Sequence, residues 1–347
     1  MEIAMIEVKT GNLLEADVEA LVNTVNTAGV MGKGIALQFK QAFPDNFRAY
    51  EKAAKLKQIE PGKMFVFETS RLDNPRFIIN FPTKRHWRGA TRITDIEDGL
   101  KDLVNVIQQN KIKSIAIPPL GCGFGGLNWD EVHPLIMSAV SSIPELLAWI
   151  YPPLGSPSPD KMIVSTNRPH LTLGRAALIE LIDKYSQPGY RLTQLEIQKL
   201  SYFLQLAGEP LKLNFVKHLY GPYAENLNFV LQRLEGHYLR GYGARSGGSN
   251  LHLLPGAKEE ADEYLLPYPK TRERLSRVSQ LIEGFETPYG MELLATVLWL
   301  YSDNPNIKND YNDAIAGFSK WNERKKQNFK PEHIKIAWDR LLKQQWI

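Results

Sequence analysis

Over the first 150 residues, short apolar runs alternate with stretches whose apolar positions recur every three or four residues. Residues 3–8 read as a strand and residues 21–25 as a second, buried one. Ile35, Ala36, Phe39, Ala42 and Phe43 then fall on one helical face, which Pro44 stops. Residues 46–56 predict a short further helix. Residues 64–68 and 77–80 read as strands, and Arg71-Leu72-Asp73-Asn74-Pro75 between them has turn composition, so a hairpin is expected. Phe81-Pro82-Thr83 is expected to leave the sheet. Ile93, Ile96, Leu100, Leu103, Val104 and Ile107 return at helical spacing behind Thr91 or Thr94 as N-cap. A strand at 115–117, a helix over 129–141 and a strand at 146–150 complete the alternation. It predicts an α/β fold, a mixed sheet sandwiched between helices.

The pattern then changes. Four prolines fall within residues 152–159, which excludes a helix or an interior strand. The expected division is a first domain over 1–153, a Pro-rich linker over 154–165 and a mainly α-helical domain over 166–347. In that second part Leu173, Ala177, Leu181, Ile182 and Tyr185 form one stripe, and Thr193 to Glu196 is a capping box opening a helix through Leu206. Pro222 is expected to start another helix, through Leu234. A polar loop at 241–250 and helices near 258–266, 271–285, 290–301, 311–326 and 331–345 follow.

Glycines punctuate the first part at two places. Asn26 ends the second strand, Gly29, Gly32 and Gly34 follow, and a helix opens at Ile35. A strand that breaks into such a turn presents backbone N–H groups at a positive dipole end, a place that suits anions and diphosphates. A plain tight connection uses the same residues. After the strand ending in Ile117-Pro118, Gly121-Cys122-Gly123-Phe124-Gly125-Gly126 forms a second such loop, and Asn128 with Glu131 has the capping-box arrangement. Ligands of open α/β sheets collect beyond the carboxyl ends of the strands. Two such loops side by side could clamp both phosphates of one diphosphate.

Composition narrows the class. The 347 residues are ordinary in apolar content, lack a bilayer-spanning run and do not open on a signal peptide, so a cytoplasmic protein without membrane partners is expected. A single cysteine, Cys122, excludes an internal disulfide framework. It reads as a small residue packed under its loop rather than a nucleophile. The net charge of +4 arises beyond residue 155, because residues 1–155 hold 17 basic and 17 acidic side chains. That is no basic sleeve for nucleic acid. Local charge stands out instead: Lys84, Arg85, His86, Arg88 and Arg92 crowd around Trp87.

Thr10-Gly11-Asn12-Leu13-Leu14, residues 20–26, Gly32-Lys33-Gly34-Ile35-Ala36 and Pro119-Leu120 followed by the second glycine loop and Leu127, in this order and spacing, resemble a macrodomain, the ADP-ribose-binding module, over residues 1–151. Met31 to Ala36 and Asn80-Phe81-Pro82-Thr83-Lys84-Arg85 are most similar to the branch that hydrolyses ADP-ribose linkages through a lysine. Its bacterial family, DarG, comprises antitoxins that reverse thymidine ADP-ribosylation of DNA by DarT-type ADP-ribosyltransferase toxins. The resemblance implies ADP-ribose contacts at Asn12 and Leu13, at Asn26, Val30, Gly32, Lys33, Gly34 and Ile35 of the first loop, and at Thr83. In the second loop it implies Pro119, Gly121, Cys122, Gly123, Phe124, Gly125, Gly126 and Leu127. It implies no cofactor. Two positions depart from the family pattern: Asn12 stands where an adenine-contacting aspartate is usual, and Gly125 where the related eukaryotic enzymes carry an aspartate. Residues 199–205 and 218–227 resemble the helical SocA-like antitoxin domain of the Panacea type, which implies a region that holds a toxin by contact.

The chemistry implied centres on Lys84. Cleaving an N-glycosidic bond builds positive charge on the sugar, and most such enzymes use two carboxylates. No carboxylate pair is evident here, since Asp95, Glu97, Asp130 and Glu131 read as helix-opening residues. A neutral lysine can instead attack C1 of the opened ribose and form a Schiff-base-type adduct. Burial and the neighbouring Arg85 would lower its pKa, and a bound diphosphate would raise it. A protonated Lys84 would serve as an acid on the leaving base, or as a phosphate contact. Arg85, His86, Trp87 and Arg88 suit single-stranded DNA, with cations for phosphates and a ring for a base; a solvated loop with Trp87 against the sheet is the other reading. No spacing of His, Cys and acid suggests a metal. The function expected is hydrolysis of the ADP-ribose–thymidine bond on single-stranded DNA, coupled to binding of the toxin. A hydrolase of ADP-ribosylated protein, a non-catalytic ADP-ribose reader and a structural antitoxin with a vestigial macrodomain are the rivals, and the sequence leaves the oligomeric state open.

Overall fold

The computed structural model describes residues 4–153, 161–186, 190, 192–243, 251–303 and 310–347. The chain forms two compact units; the first runs through Asn167 and also takes in Gly243, and the second comprises the other described residues from Arg168 on. Most of the Pro-rich stretch and of the polar loop at 241–250 lies outside the described residues. Ser165 still packs on the first unit, its N–H donating to Gln41 O at 2.8 Å.

The first unit is built on six strands: β1 (Met5–Val8), β2 (Ala20–Asn26), β3 (Phe65–Glu68), β4 (Phe77–Lys84), β5 (Ser114–Ile117) and β6 (Leu147–Ile150). Their order in the sheet is β1-β6-β5-β2-β4-β3, parallel throughout except for the β3–β4 hairpin. Helices α1 (Gly34–Ala42) and α2 (Pro44–Lys55) cover one face; α3 (Ile93–Gln109) and α4 (Trp129–Ser141) cover the other. The two-residue period of the strands sorts the core. Ala20, Val22, Phe77, Ile79 and Phe81 pack with Ile96, Leu100, Val132 and Ile136, while Leu21 and Ile78 pack with Phe39 and Ala42. Each such buried Val, Leu, Ile or Phe side chain contributes about 1.5–3 kcal/mol.

Three local expectations are corrected. Phe81-Pro82-Thr83 does not leave the sheet, because β4 runs on to Lys84 beside β2, with Val25 opposite Pro82 and a bulge before Asn26. Proline is tolerated there because β3 pairs only as far as Asn80, so beyond it one edge of β4 needs no N–H. Neither Thr91 nor Thr94 caps α3; Arg92 holds the N-cap position without a side-chain bond. Asn128 does cap α4, but by accepting the Asp130 N–H at 3.1 Å, one residue short of the box geometry expected with Glu131.

The second unit is mainly helical: α5 (Leu173–Tyr185), α6 (Gln194–Leu206), α7 (Leu227–Leu234), α8 (Ala257–Leu265), α9 (Pro269–Ile282), α10 (Pro288–Asp303), α11 (Tyr311–Trp321), α12 (Glu323–Asn328) and α13 (Pro331–Lys343). The Thr193–Glu196 capping box is formed. Pro222 starts no helix. Gly221, at φ +94°, turns the chain into a hairpin, β7 (Phe215–His218) with β8 (Gly221–Ala224), and the helix waits until Leu227. A second short pair joins Leu239–Arg240 to His252–Leu253. The single helix expected over 311–326 is broken at Asn322, whose extended backbone and side chain cap α12 through Lys325 N–H at 2.8 Å.

The two stretches that resemble the antitoxin domain meet in space. Lys199 of α6 is buried, and its amine donates to Pro222 O at 2.6 Å; Gln198 brackets Ala224 with bonds of 2.8 and 3.0 Å. Beneath them Lys325, also buried, donates to Glu292 at 2.6 Å and to Thr296 Oγ1 at 3.0 Å, and Arg324 grips the same carboxylate. Burial, then repulsion from Lys325, brings the Lys199 amine down to about 7 against a weaker opposing pull from Glu292. Its folded pKa thus lies below its unfolded value, near 10. The unfolded chain holds the extra proton between those values, so stability falls as pH drops from about 10 toward 7, by up to about 1.4 kcal/mol per unit. Urea midpoints taken from pH 7 to 9.5 are expected to rise with pH, and Lys199→Met to remove about one proton's worth of that slope. An unchanged slope in the variant would place the titration elsewhere.

Candidate active site

Parallel pairing brings three strand ends to one edge of the first unit. β2 lies between β4 and β5 and all three run the same way; Lys84 finishes directly opposite Asn26, while β5 pairs with Ala20 and Leu21 and ends earlier, leaving Pro118–Leu120 to lead into the second loop. Both glycine loops and the lysine therefore issue from the carboxyl edge, where open α/β sheets bind ligands.

The first loop is folded by its own asparagine. Asn26 Oδ1 accepts the N–H groups of Ala28 at 3.0 Å and Val30 at 3.3 Å, and its Nδ2 donates to Val30 O at 2.5 Å. Asn26 thus shapes the loop with the amide that was expected to meet ADP-ribose. The Tyr50 hydroxyl donates to Asn26 O from a fully buried ring, and that burial pushes its pKa up. A buried amide chain supports the strands below: Asn23 Nδ2 donates to Asn80 Oδ1 at 2.9 Å, and Asn80 Nδ2 to Asn46 Oδ1 at 2.7 Å. Gly29 needs its φ of +79° and its lack of Cβ, because that atom would lie 3.0 Å from Ala54 Cβ. Lys33 occupies the N-cap of α1 without a side-chain bond, but the helix start is partly closed: Gly34 is buried and its N–H donates to Gly243 O at 3.3 Å. Gly32 and Ile35 are half-buried and Val30 is exposed at this rim.

The second loop winds on main-chain bonds: Cys122 N–H to Pro119 O at 3.1 Å, Gly126 N–H to Gly123 O at 3.2 Å and Leu127 N–H to Gly121 O at 3.1 Å. Thr91, at the start of α3, donates its N–H to Gly125 O at 3.0 Å from below. A Cβ on Gly125 would lie 2.2 Å from Gly121 O, so this loop admits no side chain there. Cys122 is half-buried with Sγ 3.4 Å from Leu120 O. The Phe124 ring is exposed yet reaches the first loop, where a Cβ on Gly34 would sit 3.3 Å from it.

Lys84 ties the strand end to this loop. Its amine donates to Phe124 O, and partial burial lowers its pKa below the ordinary lysine value. Arg85 plays no part in that shift, because its guanidinium pairs with the buried Asp95 at 3.0 and 3.3 Å. Asp95 is therefore the counter-ion of Arg85 rather than a helix-opening charge alone. Thr83 is buried, with its hydroxyl on Val25 O at 3.3 Å. Asn12 caps a 3-10 turn, Leu13–Glu15, accepting Leu14 N–H at 3.1 Å and donating to Glu15 at 3.1 Å, with Leu13 buried behind it. In the basic loop Trp87 is 38% exposed. His86 lies 5.4 Å from its ring and the Arg88 guanidinium 4.3 Å over it.

The sequence reading missed Thr91 as the loop's support, the Asn46–Asn80 bond and the Arg85–Asp95 pair. Only the last had a signal, a carboxylate ten residues on from a cation. A cavity of about 260 Å³ bounded by Leu14, Asp17, Phe43, Arg71 and Asn74 shares no wall with either loop. Among the described residues, no group of three or more His, Cys, Asp or Glu could hold a metal ion, and no helix is long and apolar enough to cross a membrane. The edge thus combines two glycine turns, exposed at Ala28, Val30, Gly123 and Gly126, a helix start without a side-chain cap and a partly desolvated amine. That set can hold an anionic diphosphate and put a nucleophile or proton donor beside it.

Comparisons with known proteins give the family. A family model for the Macro domain matches residues 22–136. A "DNA ADP-ribosyl glycohydrolase" of Thermus aquaticus is 49% identical over 339 residues, covering 98% of this chain and 93% of the relative. The solved macrodomain of Mycobacterium tuberculosis DarG is 55% identical and covers 43% of this chain and 99% of its own, with a TM-score of 0.43. A "DNA ADP-ribosyl transferase-DNA ADP-ribosyl glycohydrolase fusion protein" of Thermosipho africanus is 36% identical over 165 residues, 43% of this chain and 42% of the relative. With likeness of that degree along nearly its whole length, this chain belongs to the DarG family of DNA ADP-ribosyl glycohydrolases, a macrodomain followed by a largely helical region.

Proposed function

We propose that this chain hydrolyses the N-glycosidic bond between ADP-ribose and thymidine on single-stranded DNA, with Lys84 as the catalytic residue. The observation that carries the reading is the amine of Lys84, half-desolvated and held on the main chain of the second glycine loop opposite the first. The two loops hold the diphosphate, which brings the distal ribose to that amine. The ribose opens as its C1–O4′ bond breaks and the ring oxygen takes a proton from water; neutral Lys84 attacks C1, the Nζ–C1 bond forms, and the thymine nitrogen leaves with the electrons of its bond to C1 and a proton from Nζ. Water then adds to the resulting iminium, releasing ADP-ribose and regenerating the amine. A side chain at position 125 takes no part, since none fits there, so the water is activated by some other group. Trp87, with the Arg88 guanidinium over its ring, faces the strand carrying the modified base, and Arg85 is paired with Asp95. Release of free ADP-ribose from a modified oligonucleotide, and none from modified protein, is the direct test.

The second unit, in this reading, holds the cognate DNA ADP-ribosyltransferase by contact. The resemblance of residues 199–205 and 218–227 to an antitoxin domain supports it, as does the fusion of both activities in one relative. The two roles should separate. A Lys84→Ala chain is expected to bind the transferase and suppress its activity as the native chain does, measured by titration against DNA modification. Suppression that vanishes with the lysine would remove the contact role.

A further inference from the structure

We propose that Thr91 is a positioning residue for this reaction, its hydroxyl held in reserve for the second glycine loop in its diphosphate-bound form. This rests on the glycohydrolase reading above.

Thr91 touches the loop in three ways. Its N–H holds Gly125 O at 3.0 Å. Its methyl backs Gly121, where an added Cβ would lie 2.8 Å from Cγ2. Its hydroxyl points at Gly125, 2.3 Å from where a Cβ would be. Thr91 thus occupies the space that a side chain at 125 would need. The residue is only 6% exposed, and its Oγ1 has no hydrogen-bond partner. Packing does not explain that atom. Valine has the same shape, would fill the same space and would leave no polar group unpaired. A buried hydroxyl without a partner is rare in folded proteins and calls for a reason. The surroundings supply one. Gly121 O and this hydroxyl both border the place a Cβ on Gly125 would take, so the hydroxyl faces the main chain of the loop whose N–H groups would turn to a diphosphate. A loop that turns frees a carbonyl or an N–H on its inner side, and Thr91 Oγ1 can bond either. The hydroxyl then stabilises the bound loop and not the empty one, which raises affinity for the ligand. The residue acts through the loop and not on the reacting atoms.

The test compares Thr91→Val and Thr91→Ser in the full chain. Calorimetry gives the ADP-ribose Kd, steady-state turnover of an ADP-ribosylated oligonucleotide gives KM and kcat, and thermal melting reports the fold. Thr91→Val is expected to melt no lower than the native chain, to raise Kd and KM together about tenfold and to change kcat less than threefold. Thr91→Ser, which keeps the hydroxyl, is expected to restore Kd and KM. A Thr91→Val chain with native Kd overturns the proposal. So does one whose Kd rises only with a fall in melting temperature and is not recovered by serine, because that is a packing role. If the native chain binds no ADP-ribose, the glycohydrolase reading itself fails; if it binds and the valine chain binds equally, the role of Thr91 alone fails.

Discussion

Replacing Lys84 by alanine is expected to lower single-turnover release of ADP-ribose from modified single-stranded DNA by about a thousandfold or more. ADP-ribose affinity should stay within about threefold, because the two loops rather than the amine hold the diphosphate. The asymmetry follows from the geometry. Lys84 gives the resting loop one hydrogen bond, to Phe124 O, and shares its strand end with Asn26, but it builds neither loop. The loops are wound by Asn26, by Thr91 and by their own main chain. The pH dependence of the native enzyme should carry the same signature. A neutral amine is the reactive form and partial burial lowers its pKa, so kcat should climb with pH through a midpoint below the ordinary lysine range. Reduction with borohydride during turnover should leave an ADP-ribose adduct on the peptide containing Lys84. A full rate in the alanine variant would end the assignment. A large loss without any adduct, and with a rate that falls as pH rises, would make Lys84 the acid on the leaving base.

Gly125→Ala is expected to weaken ADP-ribose binding by about a hundredfold while the first unit stays folded. Its methyl would meet Gly121 O at 2.2 Å and Thr91 Oγ1 at 2.3 Å. Neither neighbour is a flexible tip: Gly121 O already accepts the Leu127 N–H, and Thr91 is buried under the loop. The loop must therefore open, which costs about 1–3 kcal/mol or more. The core lies elsewhere, among Val22, Ile79, Leu100 and Ile136, so the melting temperature should fall by only a few degrees. Calorimetry with ADP-ribose beside a thermal melt checks both halves. A variant that binds normally would mean that the loop takes another path when the ligand is present. The same collision bears on the position where related eukaryotic enzymes carry an aspartate: on this loop path the carboxylate cannot be added without rebuilding the turn.

Much of this was legible in the residues, for physical reasons that also mark where reading stopped. The β2 and β5 strands announced themselves by short apolar runs ending in glycine, because a buried parallel strand and a tight turn leave strong local signatures. Lys84 was found through the resemblance of residues 80–85 to the lysine-dependent branch, whereas its neighbour in the sheet, Asn26, lies 58 positions earlier. Prolines misled twice. Pro82 and Pro222 both sit in strands, one beyond the reach of β3 and one at a hairpin opened by Gly221. The missing N–H matters only on an edge that pairs, and pairing is a tertiary fact. Thr91 looked like a helix cap because threonine favours that position; only the folded chain lays it against residues 121 and 125. The Asn46–Asn80 and Lys325–Glu292 bonds join residues 34 and 33 positions apart, and no local pattern encodes such pairs.

Soaking ADP-ribose into crystals of the Lys84→Ala chain, and of the native chain at a pH where turnover is slow, would test the central claim most directly. The account predicts both phosphates on the N–H groups of the two glycine loops and the anomeric carbon about 3–3.5 Å from the native Lys84 amine. A nucleotide bound away from those loops, or a distal ribose facing solvent with the amine still on Phe124 O, would contradict it.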